Sequence, residues 1–384
     1  MTERVVRNPS ARGARVGMPA TRDPLELHRR LPGYAPTPLV DAPVIARALG
    51  VGRVLVKVES NRFGLPAFKM LGASWATYLA VVDRLGHEPE WSTIAELAAA
   101  VEALRPLTLV AATDGNHGRA VAAMARLLGL EADIFVPSDM VAARVAGIEQ
   151  EGARVELVDG TYDDAVTRSA ASAGARRLVI SDTSWDGYTT TPRHVIQGYS
   201  TIFFEIEDDL RSTGRPGPDV VVVPAGVGAL TAAAVAYYRR PGAPDTTLVS
   251  IEPEDAACVL ASCLAGALTE VPGPHRSIMV GLNCGNTSPV AWPVIAAGLD
   301  WCACVPDARA EQAMRLLAGA GIVAGETGSA ALAGALAIAA SDEPTTLGFD
   351  TDATVLLLCT EGATDPVNYE RIVGRAPDAV TRSA

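Results

Sequence analysis

Lysine is nearly absent from this 384-residue chain: of its 32 basic residues only Lys57 and Lys69 are lysines, and the rest are arginines. Any chemistry that needs a lysine amine therefore has two candidates. Positive charge is also in deficit, with 44 acidic residues setting the net charge at −12. That balance excludes the basic footprint of a nucleic-acid binder and adhesion to an anionic membrane. The six cysteines form no CxxC pair and no metal-ligand spacing with the five histidines, so neither a metal centre nor a disulfide framework is expected. Long apolar runs are missing too. The uncharged stretch 277–299 is broken by Asn283, Asn286, Pro289 and Pro293. The stretch 220–238 contains Pro224, Gly226 and Gly228, and reads as strand, glycine loop and helix rather than as a span. The N-terminus shows arginines without an apolar leader segment, and a cytoplasmic, thiol-reduced protein is expected.

What is present is an alternation of short apolar runs with amphipathic stretches, in a chain long enough for two cores. Strands are predicted at 54–58, 107–111, 134–136, 154–158, 178–181, 220–223, 248–251, 302–305 and 354–359. Helical patterns lie between them, for example at 118–128, 162–173, 229–239, 308–318 and 329–339. Continuous apolar strands alternating with helices imply parallel sheets covered on both faces. Ligands then bind where strand ends lead into helices.

Four such loops carry chemistry-bearing residues. In the first, Lys69 follows Gly64-Leu65-Pro66-Ala67-Phe68 at a helix start, flanked by Phe68, Met70 and Leu71. Apolar surroundings favour a neutral amine, which suits a Schiff-base lysine. Lys57 lies within a strand and reads as structural. The second loop is Ala112-Thr113-Asp114-Gly115-Asn116-His117-Gly118. Its glycines permit a tight turn and close approach of a flat ligand, Asn116 offers a hydrogen bond, and Asp114 a carboxylate. Taken alone it also reads as a helix cap. The third is Pro224-Ala225-Gly226-Val227-Gly228-Ala229, whose successive N–H groups can cup an anion without a basic side chain. It lacks the Lys and Ser/Thr of a nucleotide triphosphate loop. The fourth, Cys359-Thr360-Glu361-Gly362, ends the last strand with a thiol and a hydroxyl able to meet a neutral ring nitrogen.

Together the loops suit pyridoxal phosphate, and residues 34–374 resemble the tryptophan synthase β-type (fold type II) family of pyridoxal-phosphate enzymes. The resemblance rests on Phe63-Gly64-Leu65 with Ala67-Phe68-Lys69, on Ala112 through Arg119, on Asp182-Thr183-Ser184-Trp185-Asp186-Gly187-Tyr188 and on Gln197-Gly198-Tyr199. Ser277 through Leu282 with Cys284-Gly285, and Thr360-Glu361-Gly362 with Thr364-Asp365-Pro366, extend it. Within the family the nearest likeness is to the diaminopropionate ammonia-lyases. Pro66, Ala225, Asn283 and Ala120 depart from the family pattern, mostly on the substrate side.

The resemblance implies an α/β fold of two open, twisted, mostly parallel sheets with helices on both faces. Residues 1–33, rich in arginine and proline and without periodicity, are expected as a mobile arm, and the expected domains are a large cofactor domain over 34–74 and 192–384 and a small domain over 75–191. The resemblance implies that Lys69 bonds the cofactor covalently, that Asn116 meets its phenolic oxygen, and that Gly226, Val227, Gly228 and Ala229 hold its phosphate. Phe68 and Glu326 would lie close by, and Thr360 or Cys359 would face the pyridine nitrogen. Asp114 and Asp182 would serve the substrate. The expected reaction is α,β-elimination of 2,3-diaminopropionate to pyruvate and ammonia, with dehydration of serine or threonine, β-replacement or another step on a β-substituted amino acid as the alternative. A small amino-acid substrate, a homodimer, and no metal, nucleic acid or membrane partner complete the expectation. Cys258 and Cys284 flank the expected substrate loop, as two buried thiols or as a redox-sensitive pair.

Overall fold

The computed structural model describes residues 3–11, 18–342 and 344–381. Eleven strands occur among them: β1 (Arg4–Arg7), β2 (Leu39–Asp41), β3 (Arg53–Val58), β4 (Thr108–Ala112), β5 (Glu131–Pro137), β6 (Arg154–Val158), β7 (Arg177–Val179), β8 (Val220–Pro224), β9 (Thr247–Pro253), β10 (Trp301–Val305) and β11 (Thr354–Cys359). All nine predicted strands are present. The two not foreseen, β1 and β2, are short, antiparallel and at sheet edges. Such pairings depend on a distant partner's backbone and leave little pattern in their own sequence.

The chain divides into two compact units. One comprises Met1–Ala20, Pro36–Asn61 and Ile202–Ala384, and the other Thr21–Ala35 and Arg62–Thr201. The first holds a seven-stranded sheet in the order β1-β10-β9-β8-β11-β3-β2, and the second a four-stranded parallel sheet in the order β6-β5-β4-β7. In the first unit β8 reads Val-Val-Val-Val-Pro and is buried throughout, as a central parallel strand must be when both faces are covered. The helix Ala330–Ala339 is apolar all round and buried from Ala330 to Ile338. Gly334 lets it lie directly on β9, where an added Cβ would come within 2.1 Å of Ile251 Cδ1.

These boundaries differ from the expected ones. Residues 62–74 and 192–201 pack with the second unit, because the helix Met70–Leu85 lies tightly along Thr190–Gly198. A Cβ on Gly72 would meet Tyr199 Cε1 at 2.6 Å, and one on Gly198 would meet the Leu71 carbonyl at 2.4 Å. Two glycines on facing helices therefore set that assignment. The stretch expected as an arm contains β1, which pairs with β10, and the helix Asp23–Arg30. Its residues 1–2 and 12–17 lie outside the described residues.

Lys57 is structural, as expected. It projects from β3 at 1% exposure and donates to Glu205 Oε2 at 2.6 Å and to the Thr37 carbonyl at 2.8 Å. Thr37 Oγ1 donates in turn to Glu59 Oε1 at 2.6 Å. Removing one partner of a buried ion pair leaves the other charge uncompensated, at a cost of about 3–5 kcal/mol. Lys57→Met should lower the urea midpoint by that equivalent, and Lys57→Met combined with Glu205→Leu should recover most of it. Equal midpoints for the single variant and the parent would contradict the role.

Candidate active site

In the second unit, Lys69 stands at the N-cap of the helix Met70–Leu85, and the chain preceding it places Phe68 against Tyr199, ring centroids 4.7 Å apart. Lys69 Nζ donates to Asp182 Oδ2 at 2.8 Å. Asp182 follows the end of β7 and is buried, and its Oδ1 accepts the Tyr162 hydroxyl at 3.1 Å. Burial by itself would pull the Lys69 amine down, but the Asp182 carboxylate, with Tyr199 and Asp114, outweighs it and holds the amine above the ordinary lysine range. Burial would likewise raise Asp182, and Lys69 followed by His117 reverses this, keeping the carboxyl well below the usual range. The free amine is thus an ammonium. The expectation of a neutral amine from apolar neighbours is overturned by a carboxylate 113 positions along the chain.

The loop after β4 supplies the other members. Asp114 is half-buried, and burial pushes its carboxyl up against the opposing pull of Lys69 and Arg144. The two carboxylates near Lys69 are therefore displaced in opposite directions, which is how one site separates proton-holding from proton-releasing groups. His117 is buried, with Nε2 2.7 Å from the Ile180 carbonyl and Nδ1 4.0 Å from Asp182 Oδ2. Burial pulls its pKa down, so the ring is neutral. A carbonyl only accepts, so Nε2 carries the proton and Nδ1 presents a lone pair toward the carboxylate side. Asn116 begins the helix Asn116–Leu128 and is half-buried. Gly118 serves packing rather than ligand approach: a Cβ there would meet Thr113 Cγ2 at 2.4 Å and Ile134 Cγ2 at 2.6 Å.

In the first unit four loops converge at the carboxyl ends of parallel strands. After β8 the backbone turns through 226–228 into the helix Ala229–Tyr238, with Gly228 at φ +87° as an N-cap that no side chain completes. The first-turn N–H groups thus lack a side-chain acceptor, and the Thr231 hydroxyl inside that turn is buried without a partner among the described residues. Such a turn fits a phosphate group. A Cβ on Gly226 would lie 3.1 Å from the Gly281 carbonyl and 3.2 Å from Cys284 Sγ. The Gly281 N–H donates to Thr327 Oγ1 at 3.1 Å, and Thr360 Oγ1 donates to the Thr327 carbonyl at 3.4 Å. These contacts join the turn 226–229 to Gly325-Glu326-Thr327-Gly328 and to the end of β11. Glu326 accepts from Asn368 through Oε1, while its buried Oε2 has no partner among the described residues. Cys359 points into the apolar core with its thiol 3.7 Å from the Glu361 carbonyl, whereas Thr360 lies beyond the strand end. All six cysteines, Cys258 and Cys284 included, are buried thiols outside any disulfide among the described residues.

The sequence-predicted residues therefore fall into two groups: Phe68, Lys69, Asp114, Asn116 and Asp182 in one unit, and Gly226, Val227, Gly228, Ala229, Glu326, Cys359 and Thr360 in the other. Sequence reasoning did not assign Tyr162, Tyr199 or His117. His117 sits within a motif already singled out. Tyr162 reaches Asp182 across 20 positions from the first turn of a helix whose own sequence carries no mark of that partner.

A model of the family described as pyridoxal-phosphate dependent enzymes matches residues 30–360. The diaminopropionate ammonia-lyase of Escherichia coli (strain K12) is 33% identical over 366 residues, covering 92% of this chain and 91% of that protein. That of Salmonella typhimurium is 33% identical over 367 residues, covering 91% and 90%. The solved structure of diaminopropionate ammonia lyase from Escherichia coli in complex with D-serine matches with a TM-score of 0.89 at 30% identity, over 97% of both chains. Its complex with an aminoacrylate-PLP azomethine reaction intermediate matches with a TM-score of 0.86 at 30% identity, again over 97% of both. By these likenesses the chain belongs to the fold type II family of pyridoxal-phosphate-dependent enzymes, in its diaminopropionate ammonia-lyase branch.

Proposed function

We propose that this protein is a pyridoxal-phosphate-dependent ammonia-lyase acting on 2,3-diaminopropionate. Loss of the β-amine and hydrolysis with one water give pyruvate and two ammonia molecules. The observation that carries the reading is the half-buried Lys69 held at 2.8 Å by the buried Asp182 carboxylate, with a second carboxylate, Asp114, close enough to act on the amine. When bound, pyridoxal phosphate supplies the electron sink that makes an amino acid's α-proton removable.

The chain's own residues do the rest. Lys69 Nζ is the attachment point, and Asp182 Oδ2 holds or accepts its proton across 2.8 Å. Tyr162 keeps Asp182 oriented through Oδ1. The N–H groups of Gly226, Val227, Gly228 and Ala229 take the phosphate, and Asn116 the phenolic oxygen. Phe68 and Glu326 border the ring, and Thr360, beyond the strand end, faces its nitrogen better than Cys359, which is committed to the core. Asp114 as a carboxylate holds the cationic β-amine of a diamino substrate. A hydroxyl leaving group has no use for such a counter-charge, so no observation favours the dehydratase or replacement reading. The same reading takes the enzyme as a cytoplasmic homodimer, which sedimentation of the cofactor-loaded protein at twice the 39.9 kDa chain mass would bear out.

Borohydride reduction of the loaded enzyme should fix the cofactor to the peptide bearing Lys69, and Lys69→Ala should abolish both labelling and turnover. Label on the Lys57 peptide would refute the assignment.

Asp114→Asn and Asp182→Asn should retain cofactor yet lose about 10²–10⁴-fold in pyruvate release, the usual scale for a lost general acid or base. Because burial raises the Asp114 pKa, the acid limb of kcat/KM should lie above the ordinary carboxyl range near 4. Activity should fall as pH drops through that limb, and Asp114→Asn should remove it. A limb that persists in Asp114→Asn assigns it to another group.

A further inference from the structure

A cavity lies outside the loops used above. It has a volume of about 290 Å³ and opens between the end of the helix Ser200–Ser212, the segment through Pro218, and the end of the helix Ala229–Tyr238. Its floor includes Tyr237 and Tyr238, both 4% exposed. Arg211, Arg215 and Arg240 line it against a single carboxylate, Glu207. On a chain of net charge −12 this is a local reversal of sign. Arg240 is engaged, 2.7 Å from Glu207 and with its guanidinium carbon 3.7 Å from the Tyr237 ring centroid. Arg211 reaches Glu207 at 3.5 Å and Asp208 at 3.3 Å, but its side chain is 65% exposed and such pairs contribute little. Arg215 is half-buried, and its guanidinium has no hydrogen bond or ion pair among the described residues.

A half-buried guanidinium without a partner among the described residues, in a space lined also by Leu210, Pro218 and Tyr238 and at the lower end of the size of small-ligand pockets, is the chemistry of anion recognition with an apolar body. We propose that this cavity is a second ligand site, one that takes an organic anion with an apolar body: its charged group on the Arg215 fork and its body against Leu210, Pro218 and Tyr238. The site is independent of the lyase reading. It lies at the opposite end of the helix that begins at Ala229, about 14 Å along the axis from the turn assigned to phosphate.

The test is calorimetric titration of the cofactor-loaded protein with 1-anilinonaphthalene-8-sulfonate as the anion with an apolar body, and with uncharged N-phenyl-1-naphthylamine as its counterpart. The parent should bind the anion saturably, one per chain, and bind the neutral analogue at least tenfold more weakly. Arg215→Ala should weaken the anion at least tenfold without changing the thermal midpoint, since Arg215 has no partner to lose. Gly217 lines the same cavity, and a Cβ there meets only Pro244 Cγ at 3.4 Å, so Gly217→Trp has room to fill the space and should block binding. Absence of saturable binding, unchanged affinity in Arg215→Ala, or equal affinity for the neutral analogue would each overturn the proposal.

Discussion

Lys69 Nζ and Asp182 Oδ2 meet at 2.8 Å in surroundings that would penalise either charge alone. Each ion is tolerable in the protein only because the other is present. That requirement reaches outward. Asp182 is steadied by Tyr162, and the strand end it follows is tied by Tyr188, whose hydroxyl donates to the Val179 carbonyl and accepts the Ser181 N–H. Lys69 is steadied by a helix start whose axis is set by glycine contacts at Gly72 and Gly198. The pair also governs its neighbours, since the field around it contributes to the charge states of both Asp114 and His117.

The other unit reaches its function by different means. Its contribution is mostly main chain: an uncapped helix start after β8, a glycine in left-handed conformation, and loops locked by hydrogen bonds through Thr327. Backbone N–H groups hold a phosphate without a cation. A chain with only two lysines can therefore commit one to a buried structural pair with Glu205 and keep the other for chemistry.

Apolar residues dominate the joints of both units, and glycines make the closest ones. Gly118 lets a helix approach Thr113 and Ile134, and Gly334 lets the alanine-rich helix sit on Ile251. In the sequence a glycine beside Asp114 and Asn116 reads as a ligand-binding feature. Only its neighbours in space identify it as a packing one.

The sequence by itself determined the nine parallel strands, the strand-end loops, and the residue types gathered in them. Those features rest on local periodicity and on backbone demands that a few consecutive residues satisfy. The chemistry of those loops drew attention to Lys69, Asp114, Asn116 and the turn 226–229, and the family resemblance added Asp182. The tertiary structure alone decided the edge strands β1 and β2, the unit to which residues 62–74 and 192–201 belong, and the ionised state of Lys69. It also decided the roles of Tyr162 and His117. Each of these depends on partners tens to hundreds of positions away, where burial and Coulomb interaction act through space and leave no trace in the neighbouring sequence.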